Sequence, residues 1–296
     1  MKNGLSLAAK QNGVLSSILK NGVMYAMLSS LVFSVMNALV KEVSASIPSS
    51  EVAFFRGLIG TVMIFFIMRS GNVAFSRKGI PMLCLRGVFG ALYLMAYFFT
   101  ISKIPLTDAS ILAHMSPIFV FIIAGLFLKE KMSRNMLAVL PIFIAGAILL
   151  VKPFHFSSYT VYALVGILSA VLSAAAATSI RYLSKKHHTY EIVFYFLAIS
   201  TVVGIPFMWN DFVVPSMTDS FYLLCIGVVS LAGQLFLTKA FTHENAVVVE
   251  VVRYIGIAYN ALWGFLFWAE VPDALTFAGG ALIIAGCILL SRRKSA

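Results

Sequence analysis

The chain has 296 residues, of which 60% are apolar and only 11% charged, and its mean hydropathy is +0.96. Soluble domains carry roughly 25% charged residues, and no compact globule of this length hides so much apolar surface from water. A soluble enzyme, a secreted protein and a disordered chain are therefore excluded. The formal net charge is +11, and its distribution along the chain reports topology instead of a nucleic-acid partner.

Allowing about 20 residues for each crossing, spans are predicted near 21–41, 51–68, 79–101, 106–128, 133–151, 159–180, 189–208, 219–241, 245–268 and 273–290, after a cytoplasmic N-terminal segment at 1–20. With the N-terminus inside, sixteen of the 22 Lys and Arg residues fall on the cytoplasmic side. Lys41, Lys103 and Lys152 fall outside, and Arg56, Arg86 and Arg253 lie within spans. That asymmetry follows the positive-inside rule. The expected fold class is an all-α integral membrane protein of ten transmembrane helices, with both termini cytoplasmic and several passes through the cytoplasmic membrane. Cys84, Cys225 and Cys287 fall within spans and read as small packing residues, without a disulfide framework.

Charges at mid-bilayer cost about 2.5–3.5 kcal/mol each on insertion scales, so the polar residues inside spans stand out in chain order. Span 1 carries Ser30, Ser34, Asn37 and Lys41 on one face. Span 2 holds Arg56 about 9 Å from its outer end, at 1.5 Å per residue. Span 3 holds Arg86 at similar depth from the inner side, in a stripe with Gly90, Tyr93, Tyr97 and Thr100. Span 4 begins near Asp108 and presents Thr107, Ser110 and His114 on one face. Span 6 offers the small face Ala170, Ala174 and Ala177, which ends in Arg181. Span 8 adds Gln234 and Lys239, and span 9 adds Glu250, Arg253 and Tyr254. Each arginine either snorkels to its nearer interface or serves a polar pathway. By depth, Arg86 is expected near Glu250, and Arg56 near His114 or Asp108.

The chain also matches itself at an offset of 140 residues. Between 126 and 150, ten of 25 positions repeat at 266–290, among them Glu130/Glu270 and Gly146/Gly286; farther upstream, Glu51 pairs with Glu191 and Lys41 with Arg181. Two repeats follow, at 21–152 and 159–292. Five spans per repeat is an odd number, so the second copy enters the bilayer from the opposite side. Inverted repeats of this kind build many secondary transporters, with the site between the halves.

The stretch from Asp108 through His114 and Pro117 to Val120, followed by Leu126-Phe127-Leu128-Lys129-Glu130-Lys131 and Gly146, resembles the EamA-type domain of the drug/metabolite transporter superfamily. The second copy, from Leu262 to Pro272 and Gly286, is similar. The resemblance covers about residues 21–292 and implies a ten-helix transporter lined mainly by helices 1, 3, 4, 6, 8 and 9. Ile257 stands where the first copy has Pro117, so a helix kink is not assured in the second.

The expected function is secondary transport of a small polar metabolite across the cytoplasmic membrane by alternating access. Guanidinium groups grip carboxylate or phosphate in planar, bidentate fashion, so a substrate bearing one of these groups is expected. It would be an amino acid, an organic acid or a nucleotide-like compound. Substrate-binding candidates are Asn37, Arg56, Arg86, Tyr93, Tyr97, Ser110, His114, Gln234, Glu250, Arg253 and Tyr254; proton-coupling candidates are Glu250, Asp108 and His114. A flippase for a lipid-linked substrate is the alternative. No catalytic residue, metal or cofactor is expected: zinc, nucleophile-elbow and phosphate-loop motifs are absent. Membrane lipid is the other expected partner, in a monomer or a weak homodimer.

Overall fold

The computed structural model describes residues 22–127, 141–142, 145–146, 148–149, 158–244, 249–250 and 252–292. Its helical segments are α1 (Gly22–Val43), α2 (Ser49–Ser70), α3 (Ile80–Lys103), α4 (Leu106–Ala113), α5 (Ser116–Phe127), α6 (Ser158–Leu183), α7 (Thr189–Met208), α8 (Met217–His243), α9 (Ile255–Trp268) and α10 (Ala274–Arg292). Six of them, α1, α2, α3, α6, α7 and α8, are long and apolar enough to cross a membrane. The predicted N-terminal segment, most of predicted span 5, Glu130 and the side chain of Cys287 lie outside the described residues.

Helix starts are set locally. Gly79 precedes α3 at φ +77°, where a Cβ would be strained and would also lie 2.6 Å from His187 Nε2. Ser216 and Asp219 cap each other's backbone N–H at the start of α8. Ala269 ends α9 in the left-handed region at φ 52°, and this turn throws Glu270 back across the bundle.

Packing follows the internal repeat. The α8 helix runs along α1, and the positions 140 residues away give the matching pair of α3 with α6; α2 runs along its own counterpart, α7. Small residues allow the close approaches that replace a hydrophobic drive inside a membrane. Ala170 and Ala174 are fully buried on α6. A Cβ on Gly57 would lie 2.7 Å from Thr201 Oγ1 on α7. Outward-facing positions such as Phe66, Val202, Phe221 and Phe277 are exposed and apolar, as acyl-chain contact requires.

Glu51 and Glu191 sit in the first turns of α2 and α7, where the sequence suggests a helix-dipole role. Their carboxylates reach farther than that. Glu51 accepts the Val213 N–H at 3.0 Å, and Glu191 accepts the Ser76 N–H at 2.8 Å. Each thus ties down a loop of the other half of the chain.

Glu270 makes a third cross-link, beyond the helix-end role its position suggests. Its carboxylate pairs with Lys41, and Oε2 accepts the Leu106 N–H at 2.9 Å, one of the free donors at the start of α4. Lys41 also donates to Ile104 O at 3.3 Å, and Arg181 Nη1 repeats that contact 140 residues on, reaching Glu244 O at 2.9 Å. Glu270→Ala removes both an ion pair and a cap, whereas Lys41→Ala removes the ion pair and the longer contact with Ile104 O but leaves the cap on Leu106 N–H. The first is expected to lose more stability in a detergent thermal melt, by about 0.5–2 kcal/mol, the worth of a cap; equal losses would contradict this division.

Candidate functional site

Predicted spans 4 and 9 are not continuous helices. Span 4 breaks at His114–Met115, between α4 and α5, and span 9 breaks at Arg253–Tyr254, just before α9. Both breaks are tight i→i−3 turns: Met115 N–H bonds Leu112 O at 3.1 Å, and Gly256 N–H bonds Arg253 O at 2.9 Å. In the first copy Pro117 lacks an N–H and disfavours helix before it. The second copy breaks without a proline, since Ile257 keeps its N–H and gives it to Tyr254 O at 3.0 Å. A break at bilayer depth frees carbonyls that must find partners within the protein.

His114 and Tyr254, positions 140 apart, supply those partners to each other's turn. The Tyr254 hydroxyl donates to His114 O at 2.9 Å. The His114 ring places Nε2 3.0 Å from Arg253 O and Nδ1 2.7 Å from Ser110 O. Both ring nitrogens therefore face carbonyl acceptors, and the imidazole staples the two broken helices together.

Beside this staple lies a cavity between the halves. Of the substrate-binding candidates, Asn37, Arg56, Arg86, Tyr93, Tyr97, His114, Gln234, Glu250 and Arg253 line it. Ser110 and Tyr254 stand behind its wall: Ser110 Oγ accepts from Asn260 Nδ2 at 2.8 Å, and Tyr254 caps the turn. Asp108 is not part of the lining, because Tyr159 and Thr276 donate to its carboxylate at 2.5 and 3.0 Å. Lys239 turns away as well, with its Nζ 5.5 Å from the centre of the Tyr25 ring.

The expected ion pairs are replaced by another arrangement. Glu250 bonds Arg253 Nη1, three residues on, at 3.1 Å, and accepts from Ser116 Oγ at 3.2 Å. Arg86 does not reach it. Arg56 meets neither His114 nor Asp108; instead, both arginines lie against Phe196 on α7, with guanidinium carbons 5.5 Å (Arg56) and 4.3 Å (Arg86) from the ring centroid. They are 1% and 3% exposed, and Nε and Nη1 of each lack a hydrogen-bond partner among the described residues.

Amide–hydroxyl hydrogen bonds join further residues at the cavity. Asn37 Nδ2 donates to Tyr97 at 3.0 Å and to Asn260 Oδ1 at 3.3 Å, while Trp263 Nε1 donates to Ser34 Oγ at 3.0 Å. Tyr93 and Tyr97 stack on each other at 5.8 Å. Asn260, Phe196 and Ser116 are cavity residues that the sequence reading missed. Asn260 was findable as a rare amide within a span, but nothing in an apolar helix marks Phe196. The lining also differs from the helix set that the resemblance implies, because helices 2 and 7 contribute Arg56 and Phe196.

The EamA-like transporter family model matches the chain twice, at residues 20–152 and 160–292. The chain belongs to this family. Its relatives in the drug/metabolite transporter superfamily include the pseudopaline exporter CntI of Pseudomonas aeruginosa, 60% identical over 94% of this chain and 98% of the relative. A riboflavin transporter of Brucella anthropi is 26% identical over 84% of this chain and 90% of the relative. An S-adenosylmethionine uptake transporter of Rickettsia prowazekii is 25% identical over 93% and 94%. A solved crystal structure, 17% identical, superposes with a TM-score of 0.66 over 93% of this chain and 99% of the other, a likeness of fold. This EamA protein is accordingly a membrane transporter of a small metabolite, and not an enzyme.

Proposed function

We propose that the chain exports pseudopaline, or a compound closely similar to it, by alternating access through the cavity between its halves. The observation that carries this reading is the pair of buried guanidinium groups in the cavity lining whose Nε and Nη1 lack partners among the described residues, which suits a carboxylate- or phosphate-bearing substrate. The 60% identity to a pseudopaline exporter over nearly the full length of both chains supports the substrate and the direction. The architecture proposed with it is ten transmembrane helices in two inverted repeats, with both termini cytoplasmic. The reciprocal turns, the matched contacts of Lys41 and Arg181, and the self-paired α2 and α7 all support two-fold-related halves.

Glu250 is proposed as the proton-coupling group. Of the three candidates, Asp108 is held by Tyr159 and Thr276 and His114 by two carbonyls. Glu250 alone among them is a carboxylate on the cavity wall, beside Arg253. Protonating it would release Arg253, which ties proton binding to the charge the substrate meets.

Counterflow in proteoliposomes tests the substrate. The purified chain is expected to exchange labelled pseudopaline, and to move neither riboflavin nor S-adenosylmethionine at a comparable rate. Exchange of riboflavin or S-adenosylmethionine in preference to pseudopaline would overturn the substrate, and no exchange of any of the three would overturn the transport reading.

A further inference from the structure

The charge balance of the cavity narrows the substrate further. Among the described residues its lining includes three cations, Arg56, Arg86 and Arg253, and one anion, Glu250. Glu250 is taken up by Arg253 at 3.1 Å, so both excess positive charges reside on Arg56 and Arg86. Helices α2 and α3 hold these two side chains, and Phe196 of α7 lies against both guanidinium groups. An aromatic face attracts a cation, but it neutralises no charge and leaves the N–H groups of Nε and Nη1 without acceptors among the described residues. Inside a low-dielectric bundle, an uncompensated charge is strongly unfavourable.

The arrangement is built into the helices. Gly90 lies one turn beyond Arg86 on α3, and a Cβ there would stand 2.1 Å from Arg86 Nη1 and 2.5 Å from the Phe196 ring. Only a glycine leaves room for that guanidinium to lie on the ring. Glycine weakens a helix interior, so its presence at this contact fits a requirement for the arginine's placement.

We infer that the substrate presents two separate anionic groups, one to Arg56 and one to Arg86, and that analogues carrying a single negative charge are rejected. The inference rests on the reading of this cavity as the substrate site. A monoanion leaves one buried guanidinium unpaired beside another cation, whereas a dianion cancels the whole excess. A phosphate group concentrates similar charge at one point. Two guanidinium groups on different helices, each with its own unpaired donors, fit two spaced carboxylates better, because each can take one charge-assisted partner.

The test is equilibrium binding to the purified full-length chain in detergent, with glutarate, its singly charged monoamide glutaramate, and inorganic phosphate as probes. Glutarate is expected to bind at least about tenfold more tightly than glutaramate, since the unpaired cation penalises the wrong ligand. That advantage should vanish in Arg56→Gln and Arg86→Gln. Without ligand, both variants should melt about 2–4 °C above the parent, because each removes an unpaired buried charge; a structural arginine would give the opposite sign. Glutaramate binding as tight as glutarate, no binding of any probe, or lower unliganded melting of both variants overturns the two-anion rule. Tighter binding of phosphate than of glutarate overturns the spaced-carboxylate form. Binding is read here without flux, so a chain that binds glutarate yet moves nothing in liposomes would overturn the transport site and leave the charge rule standing.

Discussion

Arg56→Gln and Arg86→Gln are each expected to reduce pseudopaline counterflow by at least about thirtyfold while the protein still assembles in the membrane. Truncating one partner of a buried, hydrogen-bonded charge pair costs about 2–5 kcal/mol, and about 1.4 kcal/mol is a factor of ten in affinity. Neither arginine has an ion-pair partner among the described residues, so the loss should fall on substrate binding and not on the fold. Lysine is not an equivalent replacement, because it is a point charge without the planar fork. Arg56→Lys and Arg86→Lys should therefore stay well below the parent. Counterflow at the parental rate in both glutamine variants would remove these residues from the substrate path.

Glu250 should separate two effects that the arginines do not. Glu250→Ala leaves Arg253 buried without its partner, and breaking a buried pair on one side costs about 3–5 kcal/mol; a marked drop in detergent melting temperature is expected. The doubly substituted Glu250→Ala, Arg253→Ala chain should regain much of that loss, as no charge is then stranded. Glu250→Gln keeps the size and can still accept from Ser116, but it cannot exchange a proton. It should retain counterflow and lose accumulation driven by a pH gradient. Full gradient-driven transport by Glu250→Gln would assign coupling elsewhere.

The helices that position the site were legible because their signals are local or periodic. The apolar runs mark α1, α2, α3, α6, α7 and α8 within a few residues, and a single offset of 140 links Lys41 to Arg181 and His114 to Tyr254. The rare in-span charges were also readable, since each is costly where it stands. Their pairing was not. Depth along a span brings Arg86 and Glu250 together, but Glu250 meets Arg253 instead, its i,i+3 neighbour just before the break at Arg253–Tyr254. The same break was masked by Ile257, because a tight turn can form without proline when a side chain from the other half caps its carbonyl. Phe196 was invisible for a simpler reason: among 25 phenylalanines, only the three-dimensional neighbours distinguish a cation platform from a packing ring. Glu270 looked like the end of a helix, and only the fold shows that it caps the next broken helix from the far half.

The most direct test of the central claim is thiol labelling inside the cavity. Ser173 on α6 lines it, so Ser173→Cys can be placed in a chain whose Cys84, Cys225 and Cys287 are replaced by serine. A membrane-impermeant maleimide is then applied to intact cells and to inverted vesicles. Alternating access predicts labelling from both faces of the membrane, slowed by about tenfold or more when saturating pseudopaline is present. Labelling from one face only, or at a rate that pseudopaline leaves unchanged, would contradict a substrate path through this cavity.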